Sequence, residues 1–595
     1  MTRRDGYLPI RDYAAIGDGR TVALVGSDGA IDWLCLPDLD SASVFAALLD
    51  AERGGQFTLA PSIAYVAKRR YLQDTNVLET TFTTETGTVR VTDAMTLPRL
   101  GLTPYRELVR RVDGVAGEVP MRWVVEPRFA YGSKRQPFNR HGGVPVAANG
   151  SDAVAVLTWD AGRAEIDATS VAGRFRSRAG QSSLLVLSAA HQEPLVLPSR
   201  DGVESRLDAS VASWRTWAGE RSYEGPWREA VLRSALALKL LVFAPSGAIA
   251  AAATTSLPEE IGGGRNWDYR FSWPRDAAFT LQALLALGCG SEARAFFSWL
   301  LHASQLTHPR VQVLYRLNGR DDTHERELPL AGYRRSSPVR IGNGARAQLQ
   351  LDVYGEVLAA AALLAAFSGG LDRDHGRRLA EMADLVSRIW RRPDAGIWEV
   401  RATPAQFIQS KMMCAVALDR AVALADGGYL PGKNVGRWRH EAAAIRVYVE
   451  SAGYSEPKQS YRRAATDDGV DASLLLGVLA RYDRPNAPRL VATVAAVRRV
   501  LGHGPFVHRY LADDGLPGED GAFIACSFWL VEALARQGRG DDAAELMDEL
   551  VGLSNDVGLY AEEIDPASGD FLGNFPQGLS HLALINAAVA IAEMS

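Results

Sequence analysis

The stretches LAAAALLAA (Leu358–Ala366) and LALINAAVAIA (Leu582–Ala592) are long enough for helices yet have almost no polar face. A helix that is apolar all round must be buried on nearly every side. Apolar residues at three- and four-residue spacing predict twelve helices after Pro226, over 227–243, 275–288, 290–304, 351–367, 376–391, 405–425, 435–451, 471–481, 487–501, 521–537, 540–553 and 577–594. The connection before every second one is long: 244–274, 305–350, 392–404, 452–470, 502–520 and 554–576. The others are mostly short. Twelve helices alternating up and down in a closed ring bring all six long connections out on one face. The sequence therefore predicts an (α/α)6 toroid whose apolar helices form the inner ring. Functional residues concentrate on loops held by a rigid scaffold, so the crowded mouth is the expected site.

Upstream the period is different. From about residue 20 to 215, short β-rich runs alternate with Gly, Asp and Asn turn signals: TVRVT (Thr88–Thr92), ELVRRV (Glu107–Val112), MRWVV (Met121–Val125) and SLLVLS (Ser183–Ser188). The turn Ser27-Asp28-Gly29-Ala30 leads into a further run, Ile31–Leu36. Such runs predict an antiparallel β-sandwich. A chain of 595 residues exceeds one ordinary core. The expected organisation is a β-sandwich with the start of a linker at 1–222 and a catalytic toroid at 223–595.

Composition excludes several classes. With 47% hydrophobic and 23% charged residues the chain is globular. A net charge of −5 and the lack of any Lys/Arg-rich block argue against nucleic acid; Arg110–Arg111 and Arg391–Arg392 read as solvated pairs. The apolar stretches, Val357–Phe367 included, are too short for a membrane span, and the first residues carry no apolar signal segment. Four scattered cysteines (Cys35, Cys289, Cys414, Cys526) read as buried free thiols in a reducing compartment, the cytoplasm. With no HExxH pair and no Walker loop, no metal or cofactor is expected. Asp467-Asp468 and Asp513-Asp514 read as turn residues. Whether the chain is a monomer or a homo-oligomer is left open.

Two acidic motifs fall on the mouth, GIWEVR (Gly396–Arg401) in the third long loop and LYAEEIDP (Leu559–Pro566) in the sixth. Paired carboxylates from two loops are the minimal machinery for hydrolysing a glycosidic bond; inversion requires them roughly 6.5–9.5 Å apart, leaving room for water. Glu399, beside Trp398, suits the general acid. Glu562, with Glu563 and Asp565 nearby, suits the general base. The first long loop contributes Trp267, Tyr269, Trp273, Arg275 and Asp276: aromatic faces for sugar rings and charged groups for hydroxyls. Glu519, in GLPGEDGAF, enters from the same face as a substrate contact.

RNWDYRFSWPRDAAFTL, IGNGARAQLQLDVYGE, GIWEVRATPAQFIQSKMMCAVALDRA and LYAEEIDPASGDFLGNFPQGLSHLALINAA resemble, in order, conserved blocks of the glucoamylase family, glycoside hydrolase family 15. The opening YLPIRDYAAIGDGRTVALVGSDGAIDWLCLPDLDSASVF is similar to that of its bacterial members. The resemblance implies that Glu399 is the acid, Glu562 the base, Arg275 and Asp276 the holders of the cleaved sugar, and Trp267, Trp273 and Trp398 its walls. Pro274 departs from the family's usual aliphatic residue, although proline is tolerated at a helix start. The implied reaction releases β-glucose from a small α-glucoside with inversion and no cofactor. The substrate implied first is α,α-trehalose, since bacterial trehalases share TTSLPEE (Thr254–Glu260) and LYAEEI; malto- or isomalto-oligosaccharides come second. Toroids also serve sugar epimerases, which commonly use histidine pairs, and His503, His508 and His581 lie in or beside the mouth loops. A non-catalytic sugar-binding protein is the third reading.

Overall fold

The computed structural model describes residues 3–98, 105–512, 518 and 520–594. Glu519 and Asp513-Asp514 lie outside the described residues. The N-terminal part is two antiparallel sheets joined by one long strand, Arg106–Glu126. Its first half pairs with Gly87–Met95 and Ser182–His191, its second with Gln56–Pro61 and Ser170–Arg178. The runs at Glu107–Val112 and Met121–Val125 are therefore two ends of a single strand. It crosses between the sheets at the exposed Val115–Gly117, where Gly117 has φ +64° and an added Cβ would lie 2.1 Å from the Thr86 carbonyl oxygen. From Val119 onward buried and less buried residues alternate, as a strand with one covered face requires.

Arg110 corrects the sequence reading. It is not solvated but buried between the sheets, with Nε 2.7 Å from Asp93 Oδ1. It also donates to the carbonyls of Phe57 at 3.0 Å and Gly29 at 2.8 Å, both on the opposing sheet. Arg111 does stay near solvent, paired with Asp113 at 3.1 Å. A second correction is helix α1 (Arg200–Gly219), a segment read partly as β-rich. Its buried residues Val203, Leu207, Ser210, Trp214 and Ala218 recur at three- and four-residue spacing, and Ser199 caps its first turn.

Twelve further helices follow among the described residues: α2 (Arg228–Leu241), α3 (Ala277–Ala286), α4 (Gly290–Ala303), α5 (Val353–Ser368), α6 (Arg373–Ile389), α7 (Ile408–Asp426), α8 (Val435–Ala452), α9 (Leu476–Leu479), α10 (Pro488–Leu501), α11 (Ile524–Arg536), α12 (Gly540–Val551) and α13 (Gly578–Ala592). The odd-numbered members from α3 to α13 pack in succession, and α13 returns to α3, closing the inner ring. Every residue of α11 from Ile524 to Ala535 is buried. Outer helix α12 buries only the stripe Ala543, Leu546, Met547 and Leu550. The apolar runs read from the sequence thus mark the inner helices of an (α/α)6 toroid. Pro274 opens a 3-10 turn that leads into α3. Helix α11 begins at Ile524, not 521, because Ala522–Phe523 pairs instead with Glu563–Ile564 of the sixth loop.

The β-domain packs against the mouth rather than the far end of the toroid. Trp33 Nε1 donates to Ala253 O at 2.9 Å, Tyr333 Oη to Leu8 O at 2.9 Å, and Asn555 Nδ2 to Tyr13 O at 2.8 Å. It therefore braces the first, second and sixth long loops. No helix among the described residues is long and apolar enough to cross a membrane.

Breaking one partner of a buried ion pair typically costs about 3–5 kcal/mol. Asp93→Asn is expected to lower the unfolding free energy of the β-domain transition by that order, and with it the urea midpoint, followed by tryptophan fluorescence. An unchanged midpoint would show that Arg110 is held by the Phe57 and Gly29 carbonyls alone.

Candidate active site

Six of the expected residues, Trp267, Tyr269, Arg275, Asp276, Trp398 and Glu399, line one cavity at the mouth. The first loop reaches it because Asn266–Asp268 pairs with Thr255–Pro258 as a short hairpin. The guanidinium groups of Arg340 and Arg401 lie 4.7 and 4.8 Å from the Trp267 ring. Trp398 packs edge-on to Phe523 at 5.6 Å and donates Nε1–H to Asp471 at 2.9 Å. Trp529 and Phe279, stacked at 5.7 Å, extend this wall.

Glu399 ends the turn at Gly396–Glu399 with φ +57°. Among the described residues thirteen non-glycine residues have positive φ, and Glu399 alone of them lines the cavity. Left-handed backbone at a non-glycine residue persists only where its surroundings enforce it, and such positions cluster at functional sites. Here Gln348 Nε2 donates to Glu399 O at 3.1 Å. Glu399 Oε1 accepts from Trp273 Nε1 at 2.7 Å and from Arg275 Nη1 at 3.1 Å. Oε2 has no protein partner among the described residues. The carboxyl is thereby oriented with one oxygen free. Arg275 also donates to the Ile397 carbonyl. Burial works against its charge, but Asp276, Glu399 and Asp352 outweigh that and keep it protonated.

Trp273 does not form part of the wall. It is buried behind Tyr269, ring edge to ring face at 5.3 Å, and acts on the site through its bond to Glu399. Glu562 is also buried, 1% exposed. Its Oε2 accepts from Asn574 N at 3.2 Å, and no hydrogen bond within normal geometry reaches its Oε1 among the described residues. Burial first, then the neighbouring Glu259, push its pKa up to about 8, against Arg509, the Asn574 N–H and the Tyr269 hydroxyl. Tyr269 links the two glutamates: burial raises its own pKa, and Glu562, Glu259 and Glu399 add to the rise. Tyr269 is thus within electrostatic reach of both motif glutamates; Glu399 lines the cavity, whereas Glu562 is not among its described lining residues and stands behind it.

Glu563, expected to touch substrate, stands behind the wall, fully buried. Its Oε1 lies 3.1 Å from Arg509 Nη2 and its Oε2 accepts from Gly521 N at 2.9 Å. The same Arg509 nitrogen meets Glu259 Oε2 at 2.8 Å and Asp520 Oδ2 at 2.7 Å. Glu259, Asp520 and Glu563 are the group of acids whose spacing suits a metal ion. The Arg509 guanidinium already supplies the cation there. Sequence reasoning missed Glu259, Arg509, Phe279, Phe523 and Trp529. Glu259 carried a signal, as the acid of TTSLPEE. The aromatic residues looked like ordinary core. His581 is buried, with its pKa pushed down to about 3 by burial and Arg233, and His503 is exposed. No histidine is among the described residues of the cavity wall, which removes the support for the epimerase reading.

A closed helical toroid with carboxylates on its mouth loops suits the hydrolysis of a glycosidic bond. Residues 225–589 match the model of glycosyl hydrolases family 15, and residues 5–170 match that of the trehalase-like N-terminal region. The chain belongs to glycosyl hydrolase family 15. It is 38% identical to a trehalase of Mycolicibacterium smegmatis, over 99% of this chain and 92% of that protein. It is 33% identical to a trehalase of Thermoplasma volcanium, over 99% and 94%. A bacterial glucoamylase solved in complex with acarbose superposes with a TM-score of 0.72 at 12% identity, covering 98% of this chain and 94% of that one, a likeness of fold.

Gly573 has φ +69°, and an added Cβ would lie 2.4 Å from Glu562 Oε2. Gly573→Ala is thus expected to displace that carboxylate and cut kcat at least tenfold, since small misplacements of catalytic groups can cost about 10²-fold. Steady-state kinetics on a variant of unchanged circular dichroism checks this.

Proposed function

We propose that the protein is an inverting α,α-trehalase, with Glu399 as general acid and Glu562 as general base. The observation that carries the substrate is the match of both parts of the chain, including the trehalase-like N-terminal region, to proteins named trehalase along almost its full length. The site geometry supports the mechanism. One glucose unit lies against the Trp267 and Trp398 walls while Arg275 and Asp276 hold its hydroxyls. Glu399 carries its proton on the free Oε2 and delivers it to the glycosidic oxygen as the C1–O bond breaks. Water attacks C1 from the opposite face and passes a proton to Glu562. One water is consumed, β-glucose forms from the cleaved unit, and the second glucose leaves. The four buried free cysteines support a reducing, cytoplasmic setting.

Purified protein is expected to release glucose from trehalose but not from maltose, isomaltose or soluble starch, with the β-anomer seen first by NMR. Glu399→Gln and Glu562→Gln are each expected to lower kcat by about 10²–10⁴-fold. Turnover of the oligosaccharides instead would keep the mechanism and overturn the substrate.

Because Glu562 must be ionised to act and its pKa stands at about 8, kcat/KM on trehalose is expected to rise with pH through the neutral region. A profile flat from pH about 5 to 8 would contradict the base assignment.

A further inference from the structure

The mechanism above leaves one acidic residue of the cavity wall unused. The strand Thr255–Pro258 delivers Glu259 to the cavity, where the side chain is 2% exposed. Its two oxygens are treated differently. Oε2 accepts from Arg509 Nη2 at 2.8 Å. Oε1 is buried without a hydrogen-bond partner among the described residues. An unpartnered buried carboxylate oxygen is costly, and in native proteins it calls for a specific explanation.

Balancing the charge of Arg509 does not explain Glu259. The same nitrogen meets Asp520 at 2.7 Å and Glu563 at 3.1 Å. Of these three acids only Glu259 is among the described cavity-lining residues. It also lies on the side of Glu562. Gly573 N donates to Pro258 O at 2.7 Å, and Gly573 packs directly on the Glu562 carboxylate.

We propose that Glu259 is a third carboxylate of the active site, clamped through Oε2 by Arg509 so that Oε1 accepts a hydrogen bond from a hydroxyl of the bound glucoside on the side of Glu562. A sugar hydroxyl is the donor that satisfies this oxygen, and it does so only when substrate is seated. While it is ionised, Glu259 has a second effect. It disfavours ionised Glu562 and so makes that carboxylate a stronger base toward water. The groups facing Glu259 are Arg509 and Arg265 on the positive side, and Asp520, Glu562, Glu563 and Tyr269 on the other. Burial leads the rise of the Glu259 pKa to about 7, with Asp520 adding to it and Arg509 and Arg265 opposing. This inference rests on the reading of Glu562 as the general base.

The test compares Glu259→Gln, Glu259→Ala and Asp520→Asn, on whichever α-glucoside the wild-type enzyme hydrolyses. Asp520→Asn removes a partner of Arg509 that is not on the wall. Glu259→Ala is expected to raise KM about tenfold, because an acceptor for the substrate is lost. Glu259→Gln keeps the shape and removes the charge. It is expected to move the acid limb of kcat/KM to lower pH by roughly half to one unit, since a like charge beside Glu562 is gone. Asp520→Asn, which acts only through Arg509 and the field at Glu259, is expected to move both less than the Glu259 variants do. If the Glu259 variants match Asp520→Asn in both KM and acid limb, Glu259 is a counter-ion for Arg509 and the proposal fails. Retained activity in Glu562→Gln would instead overturn the base assignment beneath it, so the two failures are distinguishable.

Discussion

The arrangement of the mouth depends on one buried ion pair, Asp268–Arg270. Arg270 Nε meets Asp268 Oδ1 at 2.8 Å and Nη2 meets Oδ2 at 2.7 Å. Burial opposes the charge on Arg270, and Asp268 more than compensates. Three segments are tied at this point. Arg270 Nη1 donates to Ser41 O of the β-domain at 2.7 Å, and the guanidinium lies 5.8 Å from the Trp33 ring and 5.6 Å from that of Tyr131. Asp268 Oδ2 also accepts from Gly342 N of the second loop at 3.1 Å. The chain is extended here, so side chains alternate in direction. Trp267 and Tyr269 therefore face the cavity while Asp268 and Arg270 are anchored away from it. A buried pair of this kind adds little net stability. What it supplies is a single position for Tyr269, against which both glutamates are arranged.

Carboxylates at the mouth gather around two buried arginines, Arg509 and Arg275. Around Arg509 stand Glu259, Asp520, Glu562 and Glu563. Around Arg275 stand Asp276, Asp352 and Glu399, with Glu356 behind them. Burial is the leading cause in every shifted case, and it pushes Asp352 up to about 7 as it does Glu259. Carboxyls raised in this way bind protons more tightly folded than unfolded. Their contribution to stability is thus present at low pH and weakens as pH rises through about 7 to 8. The proposed role of general base asks for the opposite at Glu562, which would have to lose its proton. The same burial that raises its basicity limits how acidic a medium the site tolerates.

Much of the toroid was legible because its helices carry their burial in their composition. LAAAALLAA and LALINAAVAIA cannot face water on any side, and long loops before alternate helices leave few ways to connect them. Helix α1 was equally periodic, yet its stripe of Val203, Leu207, Trp214 and Ala218 is narrow and follows a long β-rich run. Arg110 was misread because a dyad of arginines looks solvated until a partner carboxylate, here Asp93, is known to lie across the sheet. Phe279, Phe523 and Trp529 were invisible as site residues, since an aromatic ring in an inner helix looks the same whether it seals the core or lines a cavity.

By itself, the sequence determined which segments of the toroid are helices, which of those are inner, and which loops share a face, because hydrophobic period and loop length are local properties. It also determined that Glu399 and Glu562 lie on two of those loops. Only the tertiary structure decided that Glu399 lines the cavity while Glu562 is buried behind it, that Trp273 orients Glu399 from behind, and that Glu563 serves Arg509 while Glu259 reaches the wall. Those outcomes depend on distances between residues remote in the chain, and on which oxygen of each carboxylate is left without a donor.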